Sequence, residues 1–335
     1  MEIKFLKAGT GDCIIIHNEG KNVLIDGGND SVFLIDEYYK IISKHEKIDL
    51  LIITHHDDDH ISGILKLFKH LENKNETPEI ETIIFNSPKK INSFLKEEVT
   101  TNLLSYKQAY ELENILFKNR DINWITSIEK DINEVFNEKF GEMKLKIFSP
   151  DEDILISYAS NKGAYLNSDY RCDWNTSLKE LAKYIDDKSQ DSSPSNKTSV
   201  VVYITFKAKK ILLTADITPD RFNEIIDSIK GDEEKADFDL IKLPHHGSYR
   251  SLNSKLLQKI NCNNYVISTN SMKHYLPNKR ALIKIVQNIT SPETLEFLFN
   301  YEETIHKLNI TDKEISEYKI KLKPNTDNWG YGINF

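Results

Sequence analysis

The chain has 335 residues, a formal net charge of −8, 39% apolar residues and 29% charged residues. This length and composition support a sizeable buried core and exclude a disordered or fibrous chain. An acidic chain is not expected to bind nucleic acid over its whole surface, although bound divalent cations and a local basic patch leave a nuclease open.

The three cysteines, Cys13, Cys172 and Cys262, are far apart and form no Cys-x-x-Cys pair. The sequence therefore indicates neither a disulfide framework nor a cysteine-based zinc site. The chain opens directly into a strand pattern and contains no apolar run of membrane-spanning length. We expect a cytoplasmic protein that does not enter the membrane.

The first 150 residues alternate short apolar runs, glycine-containing turns and helical spacing. In chain order they predict strands at 3–6, 13–17 and 23–25, a helix at 32–42, a strand at 50–53, a helix from 61, a strand at 80–85, helical structure at about 92–120 and a strand at 145–148. The polar run at 55–60 follows the strand at 50–53, so a rigid scaffold would hold its side chains beside a cleft.

The second half of the chain returns to order after a polar stretch. Residues 186–199 are rich in Asp, Ser and Lys, which predicts a flexible surface loop. The elements that follow are strands at 200–206 and 211–214, a helix at 218–229, strands at 240–243 and 265–268, a helix at 278–288 and a strand at 294–299. Strands followed by helices, twice over, predict two mostly antiparallel sheets with helices outside them.

Histidine or aspartate residues follow four of the predicted strands. Asp216 comes after the strand at 211–214, and six of the ten histidines lie in three short segments. These histidines are His55, His56 and His60, then His245 and His246, then His274. Convergence of imidazoles and carboxylates is what a divalent metal site requires.

The run at 55–60 can supply two neighbouring metals. His55, Asp57 and Asp59 are spaced by two, and in an extended segment such residues point the same way. His60 follows Asp59 and starts a helix. We therefore expect His55 and Asp57 at one metal and Asp59 and His60 at the other, with Asp216 able to bridge both.

A solvated loop is the alternative, or a helix N-cap, where the helix dipole favours aspartate. Neither explains why four separate strand ends carry such residues, so metal binding is favoured. His56 and Asp58 are expected to point away from the metals.

Several motifs resemble the metallo-β-lactamase superfamily. The run His55-x-Asp57-x-Asp59-His60 resembles its His-x-His-x-Asp-His signature, with Asp57 in the place of the second histidine, as in the ComEC-type subfamily. Further segments similar to motifs of that subfamily are Gly9-Thr10-Gly11-Asp12, Ile25-Asp26-Gly27-Gly28, Asn196-x-x-Ser199, Leu212-Leu213-Thr214-Ala215-Asp216 and Pro244-His245-His246-Gly247-Ser248.

The resemblance implies an α/β fold, a four-layer αββα sandwich with a mostly helical insertion. It implies a single domain over residues 1–335, with the insertion at about 92–198 and its flexible loop at about 186–199. The insertion offers a lid or a surface for a protein partner.

The resemblance also implies two divalent metal ions, zinc or manganese. One metal would take His55, Asp57, Asp216 and a histidine of the His245-His246 pair, and the other would take Asp59, His60, Asp216 and His274.

We favour His245 as the ligand and His246 as a group that orients a ligand or contacts substrate. An ordinary loop histidine is the alternative for His274, because the family usually has a Gly-His-Pro-type segment there. Asp26 is expected to be structural or to orient a ligand.

The function implied is that of a metal-dependent hydrolase with a hydroxide bridging two metals as its nucleophile. Asp59 would orient it or carry its proton, and His246 or Ser248 would contact the substrate. Asp57 moves the resemblance toward the ComEC-type phosphodiesterases, and its hard oxygen suits manganese as well as zinc. Nucleic acid or a smaller phosphodiester is the favoured substrate. The alternatives are an amide or ester hydrolase and a non-catalytic metal-binding regulatory module.

Overall fold

Short apolar runs form the strands of this protein, and amphipathic segments between them form the helices. The computed structural model describes residues 1–95, 106–129, 132–160, 172–185, 189–289 and 294–335. The strands are β1 (Glu2–Leu6), β2 (Ile14–Asn18), β3 (Lys21–Ile25), β4 (Leu50–Ile53), β5 (Thr82–Phe85), β6 (Asn123–Ile125), β7 (Met143–Phe148), β8 (Val201–Phe206), β9 (Lys209–Leu213), β10 (Ala236–Phe238), β11 (Leu240–Lys242), β12 (Ile260–Cys262), β13 (Asn264–Ile267), β14 (Leu295–Phe299), β15 (Ile320–Lys323) and β16 (Gly330–Asn334).

The helices vary from single turns to the 17 residues of α2. They are α1 (Val32–Ser43), α2 (Asp58–Lys74), α3 (Pro88–Leu95), α4 (Lys107–Lys118), α5 (Ile132–Lys139), α6 (Glu152–Ser160), α7 (Leu178–Leu181), α8 (Pro194–Lys197), α9 (Pro219–Lys230), α10 (Ser254–Gln258), α11 (Lys279–Asn288), α12 (Glu302–Leu308) and α13 (Asp312–Glu317). Among the described residues, no helix combines the length and the apolar character needed to cross a membrane.

The strands form two seven-stranded sheets and one small pair. The first sheet has the order β16-β1-β2-β3-β4-β5-β6, the second has the order β15-β14-β13-β11-β9-β8-β7, and β10 pairs with β12. Pairing is antiparallel from β16 to β3 and parallel from β3 to β6, and the second sheet is parallel from β15 to β9. The prediction of mostly antiparallel sheets is therefore wrong. Helices connect the strands of the parallel halves, and such crossovers make successive strands run the same way.

The inner strands are buried on both faces. In β4, Leu50 packs in the core between the two sheets, whereas Leu51 packs against the helices outside the first sheet. In β13, Val266 faces the shared core and Tyr265 faces the helices outside the second sheet. The layers therefore run helix, sheet, sheet, helix, which confirms the predicted four-layer αββα sandwich.

The region at 92–198, expected to be a mostly helical insertion, contributes an edge strand to each sheet. Strand β6 pairs with β5, and β7 pairs with β8. The described remainder consists largely of the short helices α4 to α8. Within the helix predicted at 92–120, residues 96–105 lie outside the described residues.

The loop expected at 186–199 differs from its prediction. Residues 186–188 lie outside the described residues. The remainder contains α8, and the Ser195 and Asn196 side chains are buried rather than on the surface. Their hydroxyl and amide groups are satisfied by contacts with site residues, which explains how a polar segment can be buried.

A close backbone contact places the turn after β3 on helix α2. The Gly27 amide donates to the His60 carbonyl, and the Gly63 amide donates to the Gly28 carbonyl, both at 2.8 Å. A Cβ on Gly63 would lie 1.8 Å from the Gly27 carbonyl oxygen. Only glycine permits this approach, which brings Asp26 beside His60.

We expect Gly63→Ala to destabilise the protein. Helix propensity alone would favour alanine by about 1 kcal/mol. The new Cβ would overlap the Gly27 carbonyl, however, and forcing α2 to shift costs about 1–3 kcal/mol or more. Urea unfolding should show a lower midpoint, whereas Glu72→Ala, on the exposed side of the same helix, should leave the midpoint nearly unchanged. A Gly63→Ala variant more stable than the parent would disprove the contact.

Candidate metal centre

Parallel strands of both sheets end at one edge of the sandwich, and each delivers polar residues there. Asp26 follows β3, His55 follows β4, Asp216 follows β9, His245 follows β11 and Ser268 follows β13. Ligands of open α/β sheets bind beyond the carboxyl ends of the parallel strands. The sheet topology therefore brings the polar residues at these strand ends together at one site.

Five of the predicted side chains converge at this edge: His55, Asp59, His60, Asp216 and His246. The His60 Nε2 lies 3.4 Å from Asp216 Oδ1. The His246 Nε2 lies 3.4 Å from the Oδ2 atoms of both Asp59 and Asp216. Sets of three possible ligand atoms from these residues lie within 4.8 Å of one another, a spacing that a divalent cation can bridge.

The nitrogen atoms that face the centre fit a bound cation. The Nε2 atoms of His55, His60 and His246 are buried and have no hydrogen-bond partner among the described residues, and the same holds for Asp216 Oδ1. Buried polar atoms without partners are uncommon in proteins. A mixed set of imidazole and carboxylate ligands suits zinc or manganese, so the residues present fit the metals that the sequence predicts.

Asp26 orients two of these histidines. The Asp26 carboxylate accepts from the Thr54 amide at 2.8 Å and from the Thr54 hydroxyl at 2.7 Å, and it lies 2.7 Å from His60 Nδ1. The Thr54 hydroxyl has only one proton, which goes to Asp26, so its oxygen accepts from His55 Nδ1 at 3.1 Å. Both rings therefore carry their proton on Nδ1 and present Nε2 to the centre.

The His245-His246 pair is arranged differently from the sequence-based expectation. His246 is the residue at the centre, and its Nδ1 donates to the Ser268 carbonyl at 3.0 Å. His245 lies on the solvent side, with 30% of its side chain exposed and its Nε2 3.9 Å from Asp216 Oδ2. Positive φ angles of 47° and 53° at the two residues turn the ring planes 80° apart. This local backbone conformation places His246, and not the favoured His245, in the close sets of ligand atoms among the described residues.

The His245 ring is held from behind by the polar segment before β8. Its Nδ1 lies 3.0 Å from Asp191 Oδ2, and the Asn196 amide donates to the same carboxylate oxygen at 2.7 Å. The sequence analysis did not single out Asp191, because it lies in an Asp/Ser-rich stretch just before the Asn196-x-x-Ser199 motif. Its contact with His245 spans 54 positions along the chain.

Asp57 lies at the margin of the centre. It occupies the N-cap position of α2, but its carboxylate accepts from none of the described amides of the first turn. Its Oδ2 lies 3.6 Å from His55 Nε2, and its Oδ1 accepts a hydrogen bond from the Ser195 hydroxyl. Asp57 belongs to none of the close sets of ligand atoms among the described residues, but its Oδ2 is placed to offer one oxygen beside His55.

His274 is not part of any close set of ligand atoms among the described residues. It is half-buried, and burial lowers its pKa, which the Asp59 carboxylate partly counteracts. His274 therefore lies near the centre without joining it in this structure.

His56 and Asp58 lie away from the centre, as expected. The His56 ring packs against Tyr106 and Tyr158, with ring centroids 5.2 and 5.0 Å away, and burial lowers the pKa of His56 to about 4. Asp58 is exposed and accepts from the Ser62 hydroxyl at 2.6 Å.

Asp12 and Lys242 form a buried ion pair behind the centre that the sequence analysis missed. The Lys242 ammonium contacts Asp12 Oδ2 and lies 3.9 Å from Asp216 Oδ1. Burial opposes ionisation of Asp12, but Lys242 and His246 lower its pKa to about 2. The sequence contained one indication of this pair, since Lys242 lies inside an apolar strand. A charged side chain is buried only when it is paired.

The carboxylates dominate the electrostatics of the centre. Burial opposes protonation of His60 and His246, yet the neighbouring carboxylates, Asp216 foremost, raise the pKa of both rings well above the ordinary 6.5. Such a field favours positive charge at the point where the rings meet. A divalent cation supplies that charge directly.

Comparison with known proteins finds a family model that matches the first part of the chain. Residues 6–131 match the family model of the metallo-beta-lactamase superfamily. No curated protein matches the sequence. Similar solved structures include the metallo-beta-lactamase fold protein YhfI from Bacillus subtilis (10% identity, 99% of both chains, TM-score 0.43), Zn(2+)-bound PqqB from Methylobacterium extorquens (10% identity, 100% of both chains, TM-score 0.45) and the short form of human tRNase Z (10% identity, 80% of this chain and 92% of that chain, TM-score 0.36).

We expect Asp26→Asn to weaken metal binding without unfolding the chain. Asparagine tolerates the positive φ of 56° at this position, but an amide cannot accept from Thr54 and His60 together. Loss of such an orienting group typically costs about 10–100-fold in metal affinity. Competition with a fluorescent chelator measures this, with Asp30→Asn, an exposed neighbour, as the control. Equal affinities for the two variants would refute the role of Asp26.

Proposed function

From the superfamily match of residues 6–131 and the geometry of the centre, we propose that this chain is a metal-dependent hydrolase of phosphodiesters that uses two divalent ions, zinc or manganese. One observation carries the proposal: unpartnered Nε2 atoms of His55, His60 and His246 converge with the carboxylates of Asp59 and Asp216.

Each residue of the centre has a place in this proposal. His55 and Asp57 would hold one metal, Asp59, His60 and His246 the other, and Asp216 would lie between them. The two oxygens of Asp216 support this, since Oδ1 faces His60 and Oδ2 faces His246, each at 3.4 Å. Two divalent metals acidify water and stabilise charge at an attacked phosphorus.

Asp59 is the group proposed to hold or move a proton. Its side chain is 24% exposed, and its Oδ2 lies 3.4 Å from His246 Nε2. The side chain therefore faces both the centre and the solvent. A carboxylate at that boundary can accept the proton of an attacking water.

In this proposal His245 contacts the substrate, a role that was predicted from the sequence for His246 or Ser248. Asp191 holds its Nδ1, so its Nε2 is directed toward Asp216 at the partly exposed edge of the centre. The Ser248 side chain is buried, and its hydroxyl accepts from the Arg250 amide. Burial opposes protonation of His245, but Asp216 and Asp191 raise its pKa above the ordinary 6.5. A ring that is protonated on both nitrogens can donate from Nε2 to a phosphoryl oxygen.

Phosphodiesters are favoured over amides and esters because the ligand set is rich in carboxylates. Asp57, Asp59 and Asp216 supply hard oxygens that suit manganese as well as zinc. The substrate would be nucleic acid or a smaller phosphodiester, drawn by the metals rather than by the acidic surface. A cytoplasmic location and a protein partner at the 92–198 region remain predictions of the sequence.

Hydrolysis of bis(p-nitrophenyl) phosphate, and of labelled DNA and RNA, tests the proposed activity. Activity should require added Mn²⁺ or Zn²⁺ and disappear with a chelator. Asp59→Asn should lower kcat by about 10²-fold or more, while Asp58→Asn, its exposed neighbour, should keep most of the activity. Cleavage of peptides or lactams but not of phosphodiesters would contradict the proposed substrate class and favour an amide or ester hydrolase. Bound metal without any hydrolysis would favour a regulatory module.

Substitutions of the two adjacent histidines should have different effects, one on metal binding and the other on turnover. We expect His246→Ala to lose bound metal, because its Nε2 lies among the candidate ligands. His245→Ala should keep the metal and lose kcat/KM. Elemental analysis of the purified variants, combined with phosphodiesterase assays, measures both effects. Metal loss in His245→Ala with full retention in His246→Ala would overturn this assignment.

A further inference from the structure

The segment at 191–199 crosses one side of the centre and holds two of its residues. Asp191 bonds the ring of His245, and the Ser195 hydroxyl donates to Asp57 Oδ1. The second contact joins residues 138 positions apart. The proposed function assigns no task to Ser195, although its side chain is buried beside the centre.

The position of Ser195 is fixed by anchors at both ends of this segment. At the front, the Asp191 amide donates to the Arg250 carbonyl at 2.9 Å. At the rear, the buried Arg221 guanidinium donates to the carbonyls of Lys197 at 2.7 Å and Ser199 at 2.8 Å. The hydroxyl is therefore presented to Asp57 by a rigid backbone rather than by a free loop.

The hydroxyl determines which oxygen of Asp57 remains for a metal. Oδ1 accepts from Ser195 and also lies 3.8 Å from His56 Nε2, whereas Oδ2 lies 3.6 Å from His55 Nε2. With Oδ1 engaged, Asp57 presents a single oxygen beside His55.

We propose that Ser195 is a positioning residue that keeps Asp57 a one-oxygen ligand and thereby favours zinc over manganese at the His55 side. This rests on the proposed function for the presence of two metals. Zinc prefers four ligands, whereas larger, harder cations accept more oxygens and two-oxygen carboxylates. Without the hydroxyl, the Asp57 carboxylate is free to turn and offer both oxygens.

Competitive titration of the full chain with Zn²⁺ and Mn²⁺ against a chromophoric chelator tests the proposal. Ser195→Ala should lower the zinc affinity of one of the two equivalents by about 10–100-fold and lower the ratio of zinc to manganese affinity. The second equivalent should be unchanged. Ser195→Thr retains the hydroxyl and should restore the parent ratio, and Ser192→Ala, exposed on the same segment, is the matched control.

The outcomes separate this proposal from the proposed function. Parent protein that binds no metal would refute the proposed function itself. Parent protein that binds two metals, together with a Ser195→Ala variant of unchanged zinc-to-manganese ratio, would overturn only the role of Ser195. Equal weakening of both metals at both equivalents would also overturn it, because that pattern indicates a general loss of structure. Circular dichroism of each metal-free variant establishes that the chain is folded.

Discussion

The hydrogen bonds of the buried Asp26 carboxylate join the first sheet, the metal-ligand run and helix α2. Asp26 follows β3, Thr54 follows β4, and His60 lies in the first turn of α2. One carboxylate thus sets the tautomer of His60 directly and that of His55 through Thr54. The close contact between Gly27 and α2 keeps His60 within hydrogen-bond distance of Asp26. A larger residue at Gly27 would push the helix away.

The second constraint is charge. Burying several carboxylates at one point is costly unless positive groups compensate them. Lys242 supplies one such group from β11, where it pairs with Asp12 and lies near Asp216. The raised pKa values of His60 and His246 show that the remaining field still favours positive charge. Two divalent cations would provide it and would satisfy the unpartnered ring nitrogens as well.

Features set by local pattern could be predicted from the sequence. Burial of β4 on both faces follows from its apolar run, and the polar run directly after it marks the site. The expected alternation in an extended segment is wrong for Asp59 and His60, because both lie in the first turn of α2. Strand direction could have been predicted as well, because the helices at 32–42 and 278–288 connect successive strands as crossovers, and such strands run parallel. The order of His245 and His246 depends on two consecutive positive φ angles, which no periodicity encodes. Asp191 and Ser195 act through contacts far apart in the chain, and the nearby Asn196-x-x-Ser199 motif does not include either residue.

The central claim is that these residues hold two divalent metals. Anomalous diffraction from crystals grown with zinc, recorded on both sides of its absorption edge, tests it most directly. The account predicts two peaks bridged by Asp216, one beside His55 and Asp57 and the other beside Asp59 and His60, with His246 as a ligand and His245 outside the coordination sphere. Anomalous peaks elsewhere on the protein, or an empty centre in the presence of saturating zinc, would contradict the account.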